Sequence, residues 1–245
     1  MVKFSAANTK LKKLYKVESL KKWLTGKRKI YSFDLLSGWS CPAANACKSK
    51  VIVDENGKRK IQDGPETQFR CFSASQEVVY TNVYNLRKAN FDALINAQTG
   101  KAIKDLIQAA LPKNAGIIRI HVAGDFFSKA YIWAWLQIAI ENPHILFYAY
   151  TKQIPFLLEL QSMGIPDNLV FTASYGGRHD DLISIHNLRT AIVVENEIQA
   201  SSLELEVDDD DSHAADPAKK DQSFALVIHG VQPKIKKKIT LPVLN

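Results

Sequence analysis

After about residue 30, short continuous apolar runs alternate with helical stretches along the chain. The strand candidates are Lys29–Leu36, Ile117–Ala123, Ile145–Thr151, Leu169–Ala173, Ala191–Glu195 and Phe224–His229. Unbroken apolar runs of this length predict parallel strands covered on both faces. Between them, Glu66–Ala97 predicts one long helix, with Phe69, Phe72, Val79, Val83, Leu86 and Leu94 on much of one face. Thr99–Leu111 predicts a second helix. Ser128–Glu141 predicts a third, capped by Ser128, with Tyr131, Trp135, Ile138 and Ala139 on one stripe. Pro155–Met163 is followed by Gly164, a helix-ending glycine. Asp180–His186 and Glu197–Leu205 predict shorter helices. The expected fold class is α/β: six strands of a partial (β/α)6 barrel with helices outside. Val51–Val53 and Lys58–Ile61 flank Asp54-Glu-Asn-Gly57, and Asn-Gly between β-like arms predicts an inserted hairpin.

The chain of 245 residues is 46% hydrophobic, enough for a sizeable core, and is read as one domain over residues 1–245. No apolar run reaches membrane-spanning length, which predicts a soluble, cytoplasmic protein without membrane contact. Lys plus Arg outnumber Asp plus Glu by 32 to 25, a net charge of +7. Part of the excess is local. Residues 1–28 form a basic N-terminal segment, and 231–245 a basic tail with Lys234, Lys236, Lys237 and Lys238. Such ends read first as solvated charge and second as contacts to nucleic-acid phosphates. Residues 207–222, with Asp208, Asp209, Asp210 and Asp211 in a row, predict a flexible acidic loop.

The candidate chemistry lies in three cysteines, Cys41, Cys47 and Cys71, the only ones in the chain. Five residues separate the first two and twenty-three the second pair, and the hairpin falls inside the longer gap. An odd number argues against a closed disulfide framework. In a reducing compartment, clustered thiols point to metal binding. Three thiolates leave one iron of a four-iron cluster ([4Fe–4S]) without a protein ligand. Zinc is the competing metal, since three thiolates and a histidine make a structural site, but the short paired knuckles are missing. Iron–sulfur is the preferred reading.

In parallel α/β folds, sites collect beyond the carboxyl ends of the strands. The six predicted tips carry the cysteine loop, Gly124 with Asp125, Tyr150 with Lys152, Ser174 with Gly176 and Gly177, Glu195, and His229. Gly124-Asp125 also reads as a turn and cap, His121 as a core histidine, and Gly176-Gly177 as a loop or a close approach for a cofactor.

The chain resembles the phage and plasmid family called gene product 88 nearly end to end. The strings that carry the resemblance include Asn8-Thr-Lys-Leu11, Ser40-Cys-Pro-Ala-Ala-Asn-Ala-Cys47 and Arg70-Cys-Phe-Ser-Ala-Ser-Gln-Glu77. They continue through Ile120-His-Val-Ala-Gly-Asp-Phe-Phe127, Tyr148-Ala-Tyr-Thr-Lys152, Ser174-Tyr-Gly-Gly177 and Ile228-His-Gly-Val-Gln-Pro233. More distantly it resembles radical S-adenosylmethionine enzymes, which carry a three-cysteine loop after the first strand of a partial barrel. That resemblance implies that Cys41, Cys47 and Cys71 ligate the cluster and that Gly124-Asp125 holds the methionine amino group. The family's compact cysteine spacing is absent here. The expectation is an iron–sulfur enzyme whose pocket, lined by Asp125, Tyr150, Lys152, Ser174 and His229, takes S-adenosylmethionine or another small ligand. The alternative is a nucleic-acid-binding phage factor with a structural zinc.

Overall fold

The computed structural model describes residues 1–230 together with Gln232, Ile239 and Leu241. In chain order its elements are β1 (Ser5–Ala6), β2 (Lys29–Phe33), β3 (Ser49–Val53), β4 (Arg59–Asp63), α1 (Phe72–Val79), α2 (Thr81–Asn96) and α3 (Gly100–Ala110). Then follow β5 (Ala115–Ile120), α4 (Lys129–Glu141), β6 (Leu146–Thr151), α5 (Ile154–Met163), β7 (Leu169–Ser174), α6 (Asp180–Ile185), β8 (Thr190–Val194), α7 (Glu197–Ser202), α8 (Ser212–Ala215) and β9 (Phe224–Val227).

Each of the six expected strands is present. They pair in the order β2-β5-β6-β7-β8-β9, all parallel, and β1 adds an antiparallel edge beside β2. Chain order and sheet order therefore coincide, so every crossover returns to the next position and all six carboxyl ends share one edge. The two outermost strands of this sheet, β1 and β9, do not pair with each other, and the sheet stays open.

Both faces are covered, as the unbroken apolar runs require. On one face, Phe33, Ile118, Ile120 and Phe147 pack with Trp135, Tyr131, Leu94, Ile103 and Ile107 of the helices. On the other, Ile30, Ile117, Leu146, Tyr148, Val170 and Phe224 pack with Leu11, Leu14 and Leu20. Those leucines come from two 3₁₀ turns, Leu11–Lys16 and Glu18–Trp23. The basic N-terminal segment is thus a folded cover for the sheet, with its lysines outside and its leucines in.

Two expectations change. The long helix predicted from Glu66 begins only at Phe72 and breaks at Tyr80, whose backbone is extended at φ −104° and ψ 103°. Residues 66–71 instead run through a turn and a bend beside the cysteine loop. The amides of Gln68 and Phe69 donate to the Ala46 carbonyl at 2.8 and 3.1 Å. The acidic stretch is not a free loop. Val207 bridges to Ala225, and Asp208, Asp211, Ala214 and Ala215 are buried. Asp211 is tolerated inside because Lys10 reaches it at 2.8 Å and Arg119 pairs with its other oxygen. The lysine-rich tail lies outside the described residues apart from Gln232, Ile239 and Leu241.

The hairpin forms as predicted from β3 and β4, with Val51 opposite Ile61. Gly57 turns it at φ 75°, and the Asp54 carboxylate accepts from the amides of Asn56 and Lys58. No described helix is long and apolar enough to cross a membrane.

Candidate functional site at the carboxyl edge of the sheet

The loop after β2 carries Cys41 and Cys47, and Cys71 stands immediately before α1. Glu77 of α1 joins the two segments. Its carboxylate accepts from the Ser37 amide at 3.0 Å and from the Ser37 hydroxyl at 2.8 Å. Arg87 of α2 pairs with it at 3.1 Å, with both side chains buried. Burial pushes the Glu77 carboxyl upward, and the Arg87 charge opposes the shift. The hairpin closes the rest of the gap. The Ser49 hydroxyl bonds Asp63 at 2.8 Å and accepts from the Cys71 amide at 3.4 Å. Arg70 pairs with Asp63 at 2.6 Å.

The loop is fastened to the strand tips. The amides of Asn45 and Ala46 donate to the Gly176 carbonyl at 3.0 and 2.9 Å, and the Arg178 amide donates to the Ala43 carbonyl at 2.9 Å. A Cβ on Gly176 would lie 2.9 Å from that of Ala46, and one on Gly124 would lie 2.7 Å from the Ser40 hydroxyl. Both glycines also sit at positive φ, so no other residue fits either place without strain. The far end of the sheet reaches the same region. A Cβ on Gly230 would meet Phe72, the His229 ring lies 4.8 Å from that of Phe72, and the Arg70 amide donates to Gln232 at 2.8 Å.

Most of the expected site residues therefore surround the cysteine loop, but their polar atoms are spoken for. Asp125 accepts from its neighbour Phe126 at 2.7 Å, from the Thr151 hydroxyl at 2.7 Å and from the Lys152 amide at 2.9 Å. It straps the tip of β5 to that of β6. Burial raises its pKa despite these bonds. The Lys152 ammonium donates to the Ser174 hydroxyl at 2.7 Å, to the Ser174 carbonyl at 3.1 Å and to the Tyr175 carbonyl. Tyr150 is not part of this group. It faces the other side of the sheet, 5.0 Å from the Arg119 guanidinium and with its hydroxyl 3.5 Å from Asp211. His121 is a core histidine. Its Nε2 is 2.8 Å from the Tyr131 hydroxyl, and burial, reinforced by Arg119, pushes its pKa down to about 3.

The thiols are free and half-buried. Burial raises the Cys41 pKa, and the charges of Asp125, Cys71 and Cys47 raise it further. Cys71 is raised by burial and then by Cys47. All three thus share one electrostatic neighbourhood. Lys48 supplies a cation there and donates to the Cys41 carbonyl. Among the described residues, no three or more His, Cys, Asp or Glu side chains are grouped to hold a metal ion.

Sequence reasoning missed Glu77, Arg87 and Lys48. Glu77 carried a signal, an acidic residue in a segment otherwise headed for burial. The N-terminal charge is also less available than composition implied, because Lys10, Lys13 and Lys21 pair with Asp211, Asp209 and Glu18.

Fold and site together define an open parallel α/β protein with a two-cysteine loop seated on the carboxyl edge of its sheet and a third cysteine at the head of α1. The chain belongs to the gene product 88 family, whose model matches residues 2–240. It is 32% identical over 135 residues to the Gene 88 protein of Mycobacterium phage L5, covering 54% of this chain and 50% of the relative. The Gene 88 protein of Mycobacterium phage D29 is 30% identical over 118 residues, covering 47% and 43%. The matches thus span about half the length of these curated relatives. No solved structure matches the chain.

Proposed function

We propose that Cys41, Cys47 and Cys71 hold a four-iron cluster at the mouth of a partial (β/α)6 barrel, and that this phage-type protein is an iron–sulfur enzyme of radical S-adenosylmethionine type. The observation that carries the reading is that three thiols, from two segments split by a hairpin, share one electrostatic neighbourhood near the edge where six parallel strands end. The donor set suits iron–sulfur chemistry, being thiols only, with Cys41 and Cys71 raised by burial and ionised more readily on a metal. When bound, such a cluster transfers single electrons and offers an iron free of protein ligands to a small molecule.

The chain's own residues give that edge its shape. Gly176 accepts the backbone of the loop, Glu77 locks Ser37 to α1, and Asp125 keeps two strand tips in register. Because the Asp125 oxygens and the Lys152 ammonium already serve the protein, ligand contacts fall to the backbone groups and to Lys48, the cation beside Cys41 and Cys47.

The test is anaerobic purification and reconstitution with iron and sulfide. The expected product is brown and holds about four irons and four sulfides per chain. Cys41→Ala, Cys47→Ala and Cys71→Ala each lose most of the iron, while Trp133→Phe keeps it. A colourless protein without iron after reconstitution refutes the reading. A loaded protein that fails to retain S-adenosylmethionine on equilibrium dialysis keeps the cluster and removes the cofactor.

A further inference from the structure

The opposite edge of the sheet holds a cleft of about 1060 Å3. Small-molecule sites commonly enclose about 300–1,000 Å3, so the space suffices for a ligand of ordinary size. It lies at the amino-terminal ends of β7, β8 and β9, where Leu169, Arg189 and Ser223 line it. Trp23, Leu157 and Leu188 form apolar wall, and Lys22, Arg189 and Lys220 bring positive charge. Asp167 and Asp221 also reach the cleft.

Arg189 is the informative residue. Its guanidinium donates to the carbonyls of His213 at 2.8 Å, Lys219 at 3.4 Å and Phe171 at 2.9 Å, and to the Thr172 hydroxyl. All four are uncharged oxygens. A largely buried cation ordinarily finds a carboxylate, because uncompensated charge is costly to bury. Here burial instead pushes the arginine pKa down to about 10. Lys22, Lys220 and Arg189 outnumber Asp167 and Asp221 around the cleft, and Arg189 makes no direct ion pair among the described residues, so beside the Trp23 indole the lining matches an anionic group joined to a flat apolar body.

We propose that this cleft is a binding site for an organic anion, a carboxylate, sulfonate or phosphate ester on an aromatic or similarly flat frame. Arg189, Lys22 and Lys220 take the charge, and Trp23 and Leu188 cover the body. The site is separate from the cysteine edge and needs no iron.

The probe is anilinonaphthalene sulfonate, a flat aromatic anion, with uncharged phenylnaphthylamine as its match. Fluorescence titration of the full chain is expected to show saturable one-to-one binding of the anion. The neutral dye is expected to bind about tenfold more weakly. Lys22 and Lys220 are exposed, so the double variant Lys22→Glu, Lys220→Glu is expected to keep its melting curve and lose affinity about tenfold. Arg189→Gln is expected to lose it further, and Ala218→Trp fills the mouth of the cleft and competes with the dye. Equal binding of the two dyes, or unchanged affinity in the double lysine variant, overturns the proposal. So does binding that never saturates.

Discussion

At the scale of single residues, the thiols show how their surroundings set reactivity. Cys41 and Cys71 are both raised by burial and by their neighbours' charge. The thiolate is the reacting form, so a raised pKa slows alkylation at neutral pH. In metal-free protein, iodoacetamide labelling of these two is expected to rise with pH and to reach its midpoint above the ordinary thiol value of about 8.5. Peptide mass spectrometry over a pH series reads the two positions separately. A midpoint at or below that value would show that they are neither buried nor near each other's charge. Loading with iron is expected to protect them at every pH of the series.

At the scale of elements, the seating of the cysteine loop against the tip of β7 is decided by close approach. Gly176 sits at φ 94°, and an added Cβ would lie 2.9 Å from the Cβ of Ala46. Neither atom ends a flexible chain, so the loop must shift. Gly176→Ala is expected to cost about 1–3 kcal/mol of stability and to lower iron loading in the same preparation. Gly164→Ala is the control, since that glycine has φ 88° but open space around it. Thermal melts and iron content of the two variants separate backbone strain from displacement of the loop. Equal iron content in both would mean that the seating at Gly176 does not hold the cysteines.

At the scale of the whole molecule, one buried carboxylate ties the N-terminal segment and the acidic stretch to the interior of the sheet. Asp211 meets Lys10, Arg119 and the Tyr148 hydroxyl. Burial opposes its ionisation, but Arg119 and Lys10 outweigh burial and hold its pKa below the usual carboxylate range. A carboxyl depressed in the folded state takes up a proton more readily when unfolded. Its stabilisation is therefore complete above the unfolded value of about 4 and drains away as pH falls through the folded value. Asp211→Asn leaves Arg119 without its buried partner and is expected to cost about 3–5 kcal/mol near neutral pH. The gap to the unmodified protein is expected to narrow on acidification. Urea unfolding between about pH 7 and pH 3 measures it. A gap that stays constant over that range would assign the acid sensitivity to other groups.

What the sequence determined by itself was local or periodic. The unbroken apolar runs marked all six parallel strands to within a few residues. Ser128 and Thr99 marked helix starts, and each hydroxyl accepts the amide expected of a cap. Asn-Gly marked the hairpin. The polar and glycine-bearing strand tips pointed to one edge, because parallel strands in chain order leave their carboxyl ends no other place. The tertiary structure decided what depends on partners far away in the chain. The acidic run looked like a solvated loop until Arg119, 92 residues distant, made Asp211 affordable inside. Glu77 had no role legible in the sequence until the fold brought Ser37 to it, 40 residues away, and set Arg87 beside it. Tyr150 lies two residues before Lys152, at the end of β6, but meets Arg119 and Asp211 on the other side of the sheet. Burial of charge is settled by pairing in space, and Arg119 with Asp211, or Ser37 with Glu77, lie too far apart for one sequence window to hold both.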